Sequence, residues 1–179
     1  MKRLLILFGS VILIASHCQQ KPRELKAVTF SGSGYELGVQ HGKHFKKEIA
    51  EVIVRWEKNL SAFLSDKKIK KNRDQVINEF FEYAGFTESI MKWTPDLYEE
   101  VRGIADGSGQ SLDKIFILNL LDEFWVYLFN PKYHHCSSVG VPSVPGNPGF
   151  IAQNMDIENY TDGYQTLIRK EGTENLPEQ

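Results

Sequence analysis

Cys136 stands at the head of a short run of small and branched residues, Ser137-Ser138-Val139-Gly140-Val141, and the chain comes back as Phe150-Ile151-Ala152-Gln153-Asn154-Met155-Asp156. A thiol is a strong nucleophile once it loses its proton, and an adjacent base or carboxylate can bring that about. The first run reads as a strand, residues 142–149 (PSVPGNPG) as a turn, and the second run as the returning strand. Such a hairpin sets a thiol at the start of one strand and an Asn and an Asp at the end of its neighbour. That is a compact arrangement for nucleophilic acyl chemistry. Two plainer readings stand beside it: a disulfide with Cys18, the only other cysteine, or a buried and inert thiol.

The elements that must hold this hairpin are mostly helical. Residues 25–31 (LKAVTFS) read as a first strand, broken at Gly32. Ser33, with Glu36 three residues on, predicts a capping box. A helix should follow to about Trp56, with Leu37, Phe45, Ile49, Val52, Ile53 and Trp56 as its apolar stripe and residues 59–64 as a weaker continuation. Residues 67–73 (KKIKKNR) read as a solvated basic link. Val76, Ile77, Phe80, Phe81 and Ala84 mark another helix. Thr94-Pro95 opens one that should stop at Gly107 and Gly109, and Ser111 should cap a buried helix over 112–129, ended by Asn130-Pro131. Residues 164–169 (YQTLIR) read as a last strand. The aromatic residues Trp125, Tyr127, Phe129 and Tyr133 either pack the core or line an apolar pocket. His41, and the carboxylates Asp106, Asp113, Asp122 and Glu123, read as packing or capping groups.

Composition narrows the partners. Twenty-one basic and 23 acidic residues leave a net charge of -2 with no block of either sign, which argues against nucleic acid. Hydrophobic residues make up 41%, enough for a packed core in 179 residues. Neither Gly-containing stretch has a phosphate-loop pattern, and no His/Cys/Asp group has zinc-ligand spacing, so no cofactor or metal is expected. Met1-Lys2-Arg3 followed by apolar residues 4–15 reads as a leader, too short to span a bilayer comfortably. Cys18 directly after it resembles a bacterial lipoprotein cleavage site. The expectation is an exported protein, membrane-anchored through a lipidated Cys18 or periplasmic/extracellular.

Three blocks in order then resemble one family. They are residues 34–42 (GYELGVQHG), residues 103–109 (GIADGSG) with Leu112-Asp113 and Leu118-Asn119, and Cys136-Ser137-Ser138 with Ala152-Gln153-Asn154-Met155-Asp156. Their order and spacing are similar to the acyl-coenzyme A:6-aminopenicillanic acid acyltransferase (isopenicillin N acyltransferase) family of N-terminal-nucleophile hydrolases. The resemblance implies an α+β chain: a partial αββα sandwich preceded by a mainly helical pro-segment. The division would be a leader over 1–20, the helical part over 21–135 and the start of the sandwich over 136–179, with further strands, oxyanion-hole donors and an Arg beyond. It implies self-cleavage between His135 and Cys136, where the family often has Gly before the cut, and association of the two processed chains. Cys136 would be the nucleophile, Asp156 would orient its freed α-amine, and Asn154 would support the site. The substrate would be a small amide or acyl compound. A non-catalytic surface lipoprotein that binds a partner, and a phospholipase B-like lipid hydrolase, are the competing readings.

Overall fold

The computed structural model of the protein describes Leu25, residues 27–129 and residues 136–171. The leader, Cys18, the Asn130-Pro131 helix stop, His134 and His135 lie outside the described residues. The first strand, β1 (Ala27–Ser31), leads into helix α1 (Gly34–His44) through the expected capping box. The Ser33 N–H donates to the Glu36 carboxylate at 2.8 Å, and the Glu36 N–H donates back to the Ser33 hydroxyl at 3.4 Å. Instead of running on to Trp56, the helix bends at Phe45 (φ -107°, ψ 25°) and resumes as α2 (Lys46–Asp66). The Phe45 ring packs against His41, His44 and Phe30 at centroid distances of 5.5, 4.6 and 6.4 Å. The bend lets α1 lie against one helix while α2 turns its own stripe into the main core.

That stripe is Ile53, Trp56, Leu60 and Leu64, all buried and spaced three or four residues apart. Trp56, Leu60 and Leu64 meet Val76 and Phe80 of α3 (Arg73–Ala84), together with Ile117, Phe124 and Tyr160. The lysines of the basic link are exposed while its Ile69 packs against the core; Lys71 pairs with Glu79 at 2.6 Å, and Arg73, the first residue of α3, with Glu57 at 3.0 Å. A short helix without a buried residue, α4 (Phe86–Trp93), follows; the sequence reading did not include it. Thr94 precedes α5 (Pro95–Ser108) as expected, yet its hydroxyl donates backward to the Ile90 carbonyl rather than capping forward. Gly107 does not stop α5; the helix runs to Ser108, and Gly109, at φ 72°, ends it.

Glycines explain the close pairing of α1 with α5. A Cβ on Gly34, Gly38 or Gly42 would collide with the carbonyl oxygens of Asp96, Glu100 and Ile104, and one on Gly103 or Gly107 with those of Tyr35 and Val39. With no side chain between them, the two backbones touch directly. The expected single helix over 112–129 is two, α6 (Leu112–Asn119) and α7 (Leu121–Phe129), broken at Leu120. The Ser111 side chain makes no capping bond.

Two small sheets complete the described residues. Strands β2 (Ser137–Val141) and β3 (Phe150–Asn154) form an antiparallel hairpin, with Ser137 opposite Asn154 and Val141 opposite Phe150. The last strand, β4 (Leu167–Glu171), starts three residues later than expected and pairs parallel with β1, Ala27 opposite Leu167. Lys170 on β4 reaches Glu100 on α5 at 2.8 Å, which fastens this sheet to the glycine-packed helix pair. No helix among the described residues is long and apolar enough to cross a membrane.

Candidate active site

The hairpin owes its register to its turn. Val144 and Asn147 exchange backbone hydrogen bonds of 3.1 and 2.9 Å around Pro145-Gly146, and Gly146 takes φ 86°. Pro followed by a glycine at positive φ is the signature of a type II turn. The turn fixes which residues face each other at the opposite, open end. There Ser137 pairs with Asn154, so the backbone of Cys136 flanks the Asn154–Asp156 segment. All three residues singled out by the sequence therefore gather at the open end of one hairpin. Cys136 is a free, exposed thiol, which sets aside the buried-cysteine reading.

Asn154 donates its side-chain amide to the Asp156 carboxylate at 2.9 Å. The bond fixes the Asn154 side chain and leaves the remaining lone pairs of Asp156 available to another donor. Ser137 and Ser138 are exposed strand residues. The His135–Cys136 bond lies outside the described residues.

Asp156 also lines a cavity of about 610 Å³ between α7 and the segment that follows β3. Leu121, Trp125 and Val126 come from the helix, and Met155 and Ile157 from the other wall. Two more carboxylates, Asp122 and Glu158, stand on the same lining. Behind them Tyr160 is carried into the core by a short 3-10 turn, Asn159–Thr161. Burial pushes its hydroxyl pKa up to about 12, with the Trp125 indole N–H beside it acting the other way and the nearby Glu158 and Asp122 charges adding to the rise. Asp122 had read as a structural carboxylate, and Glu158 and Tyr160 carried no signal in the sequence. Only the fold brings 122 and 158 to one cavity, from opposite walls. Trp125 answers both readings given for it: it is buried, and it lines the cavity. Tyr127 packs against Phe80 at 5.7 Å.

The two glycine-bearing blocks put no residue on the lining of this cavity, and their polar side chains bond within the α1, α5 and β1 assembly. The Gln40 amide donates to the Ser31 carbonyl at 2.6 Å and ties α1 to β1. His41 stacks on Phe30 at 6.1 Å, and burial holds its pKa below the ordinary imidazole value. Asp106 accepts the Tyr35 hydroxyl at 2.8 Å. His41 and Asp106 are packing or tethering groups, as the sequence suggested; the Gln40 tether carried no signal in the sequence.

No family model matches the chain. The chain is 34% identical over 147 residues to the 40 kDa form of acyl-coenzyme A:6-aminopenicillanic-acid-acyltransferase of Emericella nidulans. The match takes in 79% of this chain and 36% of that protein, so the chain spans about a third of the length of the curated relative it matches.

Proposed function

We propose that the protein belongs to the acyl-coenzyme A:6-aminopenicillanic acid acyltransferase family and is a self-processing cysteine amidohydrolase or acyltransferase of the N-terminal-nucleophile type. On this reading β2 and β3 are part of an αββα sandwich. The observation that carries it is the hairpin register, which sets the Cys136 backbone beside Asn154 and Asp156. The similarity to an acyltransferase supports the same reading independently. In the first step the Cys136 thiol attacks the carbonyl of His135 and the peptide bond becomes a thioester, which water hydrolyses. The new N-terminus gives Cys136 an α-amine as well as a thiol. A peptide nitrogen cannot accept a proton, but an α-amine with a pKa of roughly 7.7–8.0 can. It takes the thiol proton as sulfur attacks a substrate amide and returns it to the leaving amine. Asp156 orients the amine and stabilises its protonated form. Water or a second amine then releases the acyl group from sulfur.

The N-terminal pattern extends the proposal: export, with Cys18 lipidated. Hydrolysis then suits the protein better than coenzyme A-dependent transfer, because coenzyme A is a cytoplasmic metabolite. Intact-mass spectrometry of the wild type beside Cys136→Ala tests the chemistry. The wild type should resolve into two pieces meeting between His135 and Cys136, and the variant should stay whole. If both stay whole, the self-processing reading fails and a non-catalytic binding protein takes its place.

A further inference from the structure

The cavity beside Asp156 has a charge pattern that the proposed chemistry leaves unexplained. Asp122, Asp156 and Glu158 line it, and no Lys, Arg or His is among its described lining residues. Its other walls are apolar, and part of that surface is open: Val126, Met155 and Ile157 are 52%, 58% and 45% exposed. The three carboxylates are not gathered tightly enough to hold a metal ion; among the described residues no group of three or more acidic, His or Cys side chains is so placed. Dispersed negative charge around an apolar wall suits a cation that carries its own apolar body. A fatty acyl chain has no use for the carboxylates. An anion would be repelled by them.

We propose that this cavity is the amine side of the site and takes an organic ammonium on an apolar body, which makes the substrate an N-acyl derivative of a hydrophobic amine. The proposal rests on the reading of Cys136 and Asp156 as the reacting end. When the Cys136 thioester forms, the amine leaves with the thiol proton and takes a second proton from solvent, so the product is an ammonium ion. Asp156 is shared by the two: it bonds Asn154 at the open end of the hairpin and lines the cavity, which puts the cavity next to the end where that nitrogen departs on this reading. Asp122 and Glu158 hold its charge, while Trp125 and Ile157 cover its apolar part. The same carboxylates reject amines that carry an acid group of their own, amino acids included. By this measure the chain would differ in specificity from an enzyme whose acceptor is 6-aminopenicillanic acid, the compound for which its relative is named.

The test is binding to the full chain carrying Cys136→Ala, in which the nucleophile is gone and binding is read apart from chemistry. Calorimetry at neutral pH and low salt compares three probes of one shape: 2-phenylethylammonium, phenylacetamide and phenylacetate. The ammonium should bind tightest, the neutral amide several-fold weaker, and the carboxylate not measurably. Adding Asp122→Asn or Glu158→Gln should each weaken the ammonium about three- to fivefold, the effect of losing one partly exposed ion pair, with little change for the amide. Circular dichroism confirms that each variant is folded. Equal binding of amide and ammonium, preference for the carboxylate, indifference to both substitutions, or no binding at all would each overturn the proposal. Ammonium binding in a chain whose wild type never self-cleaves would separate the two ideas: the cavity would stand and the catalytic reading would fall.

Discussion

Burial beside Phe30 takes much of the His41 ring out of water, and desolvation penalises the charged imidazolium there. Glu100 on α5 pulls the other way, while Lys170 on β4 and His44 on the same helix add to the depression. The unfolded chain therefore binds a proton that the folded chain resists. Stability from the neutral ring is fully present above the ordinary value of 6.5 and is lost as pH falls below it through the depressed folded value. Thermal melts of wild type and His41→Gln at pH 8, 6.5 and 5 check this. The stability advantage of the wild type should shrink steadily with acidification, and a constant difference would mean that the ring is hydrated. At this scale the sequence was readable where chemistry is local. Cys136, Asn154 and Asp156 stood out because a thiol and two polar side chains bracket one hairpin. Asp122 and Glu158 did not, because 36 residues separate them and only the return of the chain past β3 sets them on one cavity.

Helices whose ends are set by neighbours in sequence were placed well, and those set by distant partners were not. The Ser33–Glu36 capping box closes within three residues and was visible without any fold. Gly107 read as a stop, since a glycine in isolation weakens a helix. In the fold it is an interior residue whose missing Cβ makes room for the Val39 carbonyl, 68 residues earlier in the chain. The bends at Phe45 and Leu120 have the same origin, because packing on both sides decides them and no Pro or Gly marks either position. This gives the glycine seam a direct test. Gly38→Ala puts a methyl against the Glu100 carbonyl and should cost about 1–3 kcal/mol, as overpacking does. Gly140→Ala, with nothing within 4 Å of the added carbon, is the matched control and should change little. Denaturant melts of both would show it. Equal, small effects would mean that the two helices can move apart at no cost.

Across the whole molecule, stability is concentrated on one side. Trp56, Phe80, Phe124 and Ile117 are essentially without solvent exposure and join α2, α3, α6 and α7 into one core. Every residue of β2 and β3 is exposed, with Phe150 at 56% and Ile151 at 85%. The proposed nucleophile thus sits at the edge of an element that the described residues leave bare on both faces. An isolated two-stranded hairpin is marginal in water, and its opening free energy lies near the bottom of the range a protein spans. Hydrogen exchange should divide the chain accordingly. Amides in Ser137–Val141 and Phe150–Asn154 should exchange close to the rate of an open chain, while those around Trp56 and Leu60 wait for global unfolding. The measurement also reaches the chemistry. On the proposed reading, thioester formation with substrate needs the Cys136 amine held against Asp156, so a hairpin that exchanges freely would position the pair only part of the time. Protection of the hairpin equal to that of α2 would contradict the exposure seen here. It would mean that another surface covers these strands in solution, and the reacting end would then be organised by that surface as well as by the Pro145-Gly146 turn.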